Sequence, residues 1–116
     1  FMLTQFLIPA LKKSDDARIL FLSSSVGRKA RAYWGAYSVS KFGLEGLAMT
    51  LSEELEKTKI KVNTINPGKM RTEMRRAAYP AEDASTLPKP EEKSSVIVYL
   101  LSKEAEKING EQLSID

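Results

Sequence analysis

Short apolar runs alternate along this chain with longer stretches in which apolar residues recur every three to four positions. The run Ile19-Leu20-Phe21-Leu22 predicts a buried strand over residues 18–24, because a strand covered on both faces reads as continuous apolar sequence. Leu44, Leu47, Ala48, Leu51 and Leu55 share a helical period and predict a long helix over residues 37–57 with one apolar stripe. Ahead of the first strand, residues 1–13 read as the latter part of a helix that stops near Ser14-Asp15-Asp16. Val62 and Ile65 mark a second strand at 61–65, closed by the turn signal Asn66-Pro67-Gly68. Residues 91–103 predict an amphipathic helix whose acidic first turn suits the helix dipole. A last short strand at 112–115 follows the turn Asn109-Gly110.

This order of helix and strand predicts an α/β fold with a parallel sheet and crossover helices. In such sheets ligands sit beyond the carboxyl ends of the strands, which is where Ser24 and Asn66-Pro67-Gly68 fall. Residues 26–34 read as a loop, mixing Arg28, Lys29 and Arg31 with Tyr33 and Trp34. Basic and aromatic residues side by side can stack on nucleic acid, but a solvated loop beside the site is the expectation. Residues 69–90, with Pro80, Pro88 and Pro90, predict a long loop of the kind that forms a lid. Its cluster of Lys69, Arg71, Arg75 and Arg76 either greets an anion or forms an ordinary exposed face. Gly43 and Gly46 weaken the long helix and are expected there to let another backbone pack closely. Glu53, Glu54 and Glu56 read as solvent-facing charges.

Composition narrows the chemistry. With 116 residues the chain makes one domain at most, and a net charge of +3 does not call for nucleic acid or an anionic membrane. It has no cysteine, so disulfides and thiolate metal sites are excluded. It has no histidine, which removes the commonest general base and any Ser-His-Asp triad. No apolar run approaches the roughly 20 residues that span a bilayer. Thr4, Gln5 and Pro9 interrupt the apolar opening, which also lacks the features of a signal peptide, so a cytoplasmic location is expected. The chain opens on Phe1, and an excised or truncated piece of a longer protein is the expectation, with a start at Met2 after one extra residue as the alternative.

Among the residues left for chemistry, Ser24, Tyr37 and Lys41 stand out. Tyr37 and Lys41 are four apart and share one helical face. An ammonium held beside a phenol stabilises the phenolate and makes the phenol a usable acid near neutral pH. Ser24, thirteen residues before Tyr37, closes the first strand. A second tyrosine–lysine pair, Tyr99 and Lys103, has the same spacing, but thirteen residues before it lies Thr86 in a proline-bearing loop. Tyr99 sits in the apolar stretch Val96-Ile97-Val98-Tyr99-Leu100-Leu101 and is expected to be a packed aromatic. Taken singly, Ser24 could be a strand cap, Lys41 a solvated lysine and Pro67-Gly68 only a turn.

Three motifs in order, Ser24-Ser25-Val26-Gly27, Tyr37-Ser38-Val39-Ser40-Lys41 and Asn66-Pro67-Gly68 followed by Thr72, resemble the C-terminal half of a short-chain dehydrogenase/reductase. Trp34-Gly35-Ala36-Tyr37 with Thr72-Glu73-Met74-Arg75 looks most like the YciK-like oxidoreductases. The resemblance implies a Rossmann-like doubly wound parallel sheet, present as its C-terminal portion: three strands with crossover helices. It implies that residues 1–116 are half of one NAD(P)-binding domain, with the Gly-rich half absent. It implies hydride transfer between NAD or NADP and a small carbonyl or alcohol substrate. Tyr37 would be the general acid or base, Lys41 would support the phenolate and bind ribose hydroxyls, and Ser24 would hold the substrate oxygen. Pro67 and Gly68 would line the nicotinamide pocket, with Met70 and Thr72 at the carboxamide or phosphates. Met70 departs from the Val or Ile usual in the family. A homodimer or homotetramer is implied too, in keeping with surplus apolar residues such as Phe42 and Met49. The alternatives are a non-catalytic nucleotide-binding or scaffold protein on the same fold, and a small self-contained interaction module.

Overall fold

The computed structural model describes residues 1–115. Three strands, β1 (Ala17–Leu22), β2 (Ile60–Asn66) and β3 (Gln112–Ser114), form a parallel sheet in the order β1-β2-β3. Ala17 lies opposite Ile60 and Leu22 opposite Ile65, while Thr64 to Asn66 pair with Gln112 to Ser114. The α/β reading is correct, and β2 is the centre of the sheet. Its Ile60, Val62, Thr64 and Ile65 are almost wholly shielded from solvent, as a strand flanked on both sides requires. β1 has a strand partner on one side only among the described residues.

Among the described residues, α1 (Met2–Leu11) precedes β1, α2 (Gly35–Glu54) joins β1 to β2, and α3 (Glu73–Ala78) and α4 (Pro90–Leu100) lie between β2 and β3. The stripe read from the sequence packs α2 on the sheet: Ala48, Leu51 and Leu55 join Ala17, Ile60 and Val62 in the core, with Leu47 at its edge. Glu53, Glu54 and Glu56 are exposed as expected. α1 buries no residue, and Phe1, Met2 and Phe6 are each more than three-quarters exposed. No helix among the described residues is long and apolar enough to cross a membrane.

Several details differ from the sequence reading. The stretch at 69–90 is not one loop. Thr72 caps α3 by accepting from the Arg75 N–H, with Glu73 at the positive end of the helix, and a short 3-10 turn follows at Ala84–Thr86. α4 stops at Leu100, and only that residue of it is buried. Tyr99 is 44% exposed, so it is not the packed aromatic expected. It nonetheless lies away from the cleft described below, which supports setting it aside.

The glycine expectation is also corrected. A Cβ at Gly43 or Gly46 would meet nothing within 4 Å, so neither serves a close approach within this chain. The close approach is at Gly27, where a Cβ would fall 2.8 Å from the Lys41 Cβ and 3.0 Å from the Lys41 carbonyl. Gly110 holds the predicted turn with φ 73°, and its N–H donates to the Val62 carbonyl at 2.8 Å.

Candidate active site

One open cleft of about 970 Å³ lies beyond the carboxyl ends of β1 and β2, within the usual size range of small-molecule sites. Ser24, Tyr37, Lys41, Pro67, Gly68, Met70 and Thr72 all line it. Residues up to 48 positions apart in sequence are thus brought to one surface by the strand ends, the first turns of α2 and the lid.

Ser24 lies two residues past the end of β1 rather than in the strand, as cap of a 3-10 turn at Ser25–Gly27. Its Oγ accepts weakly from the Val26 N–H at 3.4 Å, which leaves the hydroxyl proton free to donate into the cleft. Tyr37 enters from α2, half-buried, with Trp34 edge-on at 5.6 Å between ring centroids. The Lys41 ammonium stands 5.7 Å from the Tyr37 ring centroid and donates to the Leu22 carbonyl at 2.7 Å. One of its three N–H donors is therefore used, and two remain. Asn66 closes the β2 end by accepting from the Gly68 N–H at 3.1 Å, and Gly68 takes φ 72°. That left-handed turn presents backbone to the cleft where a side chain would stand.

The far wall joins Arg31, Trp34 and Arg75 to Tyr79 and Glu82, two residues with no signal of their own in the sequence. Tyr79 stacks on Trp34 at 5.9 Å between centroids, and its hydroxyl accepts from Arg31 Nη1 at 2.6 Å. The Arg75 guanidinium lies 3.7 Å from the Tyr79 ring centroid and grips Glu82 through two bonds of 2.6 and 2.7 Å. That grip holds the Glu82 carboxyl below its ordinary range. Trp34 could be noticed by its place one helical turn before Tyr37; Tyr79 could not. The basic cluster of the lid divides: Arg71 donates to the Ser85 and Leu87 carbonyls, Arg75 is held by Glu82 and Arg76 pairs with Glu73. Lys69, which also lines the cleft, is the member that makes neither an ion pair nor a side-chain hydrogen bond among the described residues.

Arg28 corrects the picture of a solvated loop. Its guanidinium bonds Glu45 at 2.9 Å, Ser114 at 2.9 Å, Thr64 at 3.2 Å and the Leu113 carbonyl at 2.9 Å. Glu45, only 3% exposed, also accepts from Thr64 Oγ1 at 2.7 Å and Gln112 Nε2 at 3.0 Å. Burial works to raise the Glu45 carboxyl, but the nearby Ser23 hydroxyl, the Thr64 hydroxyl and the Arg28 guanidinium outweigh it and hold it low. The Ser23 oxygen makes no hydrogen bond of normal geometry, so its influence is that of a nearby dipole.

The family model for short chain dehydrogenases matches residues 1–83, which include Ser24, Tyr37, Lys41 and the Asn66-Pro67-Gly68 turn. The chain belongs to the short-chain dehydrogenase family. Within that family it is 44% identical to the uncharacterized oxidoreductase YciK of Escherichia coli K12 over 110 residues, 95% of this chain and 43% of the relative. A solved Pseudomonas syringae structure is 54% identical, with a TM-score of 0.95 over 98% of this chain and 47% of that one. A short chain dehydrogenase structure from Escherichia coli CFT073, complexed with NADPH, is 43% identical with a TM-score of 0.95 over the same shares. The chain spans about half the length of the relatives it matches. Its likeness to YciK agrees with the reading of Trp34 to Tyr37 and Thr72 to Arg75.

Proposed function

We propose that residues 1–116 are the C-terminal half of one NAD(P)-binding domain whose protein interconverts a carbonyl compound and an alcohol. The observation that supports this best is the convergence of Ser24, Tyr37 and Lys41 on the cleft that Pro67, Gly68 and Thr72 also line. The donor set fits the nicotinamide-ribose end of the cofactor. Lys41 has two free N–H donors, Thr72 keeps a hydroxyl proton while its oxygen caps α3, and Gly68 turns backbone toward the same space. Met70 and Pro67 supply apolar wall. The sequence holds no Gly-rich strand–turn–helix for the pyrophosphate, so that end belongs to the rest of the protein.

NAD or NADP, when bound, supplies or accepts the hydride. Tyr37 Oη gives its proton to the substrate oxygen in reduction and takes it back in oxidation. The Lys41 ammonium stabilises the phenolate formed in the first direction, and Ser24 Oγ–H holds the same oxygen near Tyr37. Trp34, Tyr79, Met74 and Leu87 surround the substrate with apolar surface and exclude water. The reading extends to a cytoplasmic homodimer or homotetramer, supported by the exposed Val39, Phe42 and Met49 of α2.

The full-length protein is expected to oxidise NADH or NADPH only when an aldehyde or ketone is present, followed by the loss of nicotinamide absorbance. Tight cofactor binding with no turnover across a broad carbonyl panel would instead favour the non-catalytic nucleotide-binding alternative. The 116-residue chain alone is expected to bind NADPH poorly and to turn over nothing. Its radius of gyration, 15.5 Å, exceeds the roughly 13 Å of a compact domain of this length, in keeping with an incomplete globule. Submicromolar affinity of this chain for NADPH by calorimetry would contradict the half-domain reading.

A further inference from the structure

Three consecutive residues of the turn after β1 are fastened to three positions on one face of α2. The Val26 carbonyl accepts from Ser38 Oγ at 3.0 Å. Gly27 is pressed against the backbone and Cβ of Lys41. Arg28 bonds Glu45 at 2.9 Å. Positions 38, 41 and 45 are spaced three and four apart, so they form a single stripe running along the helix from the turn that carries Tyr37. Ser24, which opens the same 3-10 turn, is rigidly linked to this fastening.

The outermost fastening is also the strongest. Arg28 reaches β2 through Thr64 and β3 through Ser114 and the Leu113 carbonyl, while Glu45 takes Thr64 Oγ1 and Gln112 Nε2. The pair therefore ties the turn and α2 to all the strand ends except that of β1, which Lys41 itself holds through the Leu22 carbonyl. We propose that Arg28 and Glu45 are positioning residues for the reaction: a brace that sets the rotation of α2 against the Ser24 turn, and so sets where the Lys41 ammonium and the Tyr37 hydroxyl stand relative to Ser24. The proposal rests on the roles given above to Tyr37 and Lys41. Gly27 makes the coupling stiff, because with contact already tight at Lys41 the helix cannot roll toward the turn; it can only roll away when the brace is cut.

Tyr37 and Lys41 both ride on α2, so rolling away carries the phenol and the ammonium together away from the Ser24 hydroxyl, and the substrate oxygen can no longer be held between Ser24 and Tyr37. Besides Lys41, the charged and titratable groups facing the cleft are Arg31, Lys69, Arg75, Tyr79, Glu82 and Lys93, and none of them bonds Arg28 or Glu45. Ser23 just past β1, Thr64 of β2 and Gln112 of β3 face Glu45, and none of them changes charge.

The test uses the full-length protein with Glu45→Gln, Thr64→Val, Arg28→Lys and Arg28→Ala, and Tyr37→Phe alongside. Thr64→Val removes one hydroxyl shared by both members of the brace without changing volume or charge. Glu45→Gln is expected to lower kcat for alcohol oxidation by about tenfold or more, with KM changed less than about threefold. Thr64→Val should show the same changes more weakly, and Arg28→Lys should retain more kcat than Arg28→Ala. Lower melting temperatures with kcat at the wild-type value would overturn the proposal, leaving the brace a purely structural role. Should Glu45→Gln not fold, Thr64→Val decides by the same readouts. Full activity in Tyr37→Phe would overturn the reading of Tyr37 and the brace with it, whereas loss there beside unaltered brace variants would overturn the brace alone.

Discussion

Tyr37→Phe in the full-length protein is expected to lower carbonyl reduction by roughly 10²- to 10⁴-fold, the usual contribution of a positioned general acid. The substitution removes one oxygen and keeps the ring. The edge contact with Trp34 at 5.6 Å and the Lys41 ammonium over the ring face both survive it. Folding and cofactor affinity should therefore stay close to wild type, and the loss should fall on kcat. Steady-state kinetics with a carbonyl substrate, together with a separate titration of the cofactor, distinguishes these effects. A variant that still reduces its substrate near the wild-type rate would show that the proton comes from elsewhere. The chain has no histidine to offer, and the acidic residue that lines the cleft, Glu82, is held ionised by Arg75.

Arg28→Ala is expected to cost about 3–5 kcal/mol of folding stability, the range for leaving one member of a buried ion pair uncompensated. Glu45 has nowhere else to discharge: its side chain is 4% exposed, and its remaining partners are neutral. Denaturant unfolding of the full-length protein measures the effect, and a change below about 1 kcal/mol, typical of an exposed pair, would refute it. Replacing both members by apolar residues of similar size should recover part of the loss. The pH dependence gives a second check. The wild-type Glu45 carboxyl is held low, so its stabilisation is complete above the ordinary carboxylate range and is lost as pH falls through the lowered value. Without Arg28, burial is left opposed only by neutral hydrogen bonds, and this acid-side loss of stability should shrink or reverse.

Much of the fold is legible because its signals are local. Continuous apolar sequence at Ile19 to Leu22 gives β1, a helical stripe through Leu51 and Leu55 gives α2, and Asn66-Pro67-Gly68 ends β2. The seven site residues named from the sequence all line one cleft, because strand ends and a helix start are places a pattern can locate. What the pattern cannot supply is pairing across distance. Arg28 looks like any basic loop residue until β2 and β3 arrive beneath it, from 36 to 86 positions away. Glu45 lies on the stripe between Leu44 and Ala48, where an apolar period has no place for a carboxylate. Its position on the buried face was the one available hint, and a buried acid needs a partner. α3 was hidden by proline on its far side and by its short length, although Thr72-Glu73 is a recognisable helix start. Tyr99 shows the opposite error, since its apolar neighbours Val98 and Leu101 are themselves exposed.

The stripe at Ser38, Lys41 and Glu45 also separates two kinds of sequence change. A substitution along it loosens the fastening at its own position and keeps the helical register of the others. One inserted or deleted residue between Gly35 and Glu45 turns everything beyond it by about 100°, and misaligns every fastening downstream at once. The lid is fastened mainly to itself, through Arg75 to Glu82 and Arg71 to Ser85 and Leu87, and its length can drift without disturbing the turn that carries Ser24. A lineage carrying this scaffold can reshape the chamber by gaining and losing lid residues, while the frame beneath it admits new letters but no change of length.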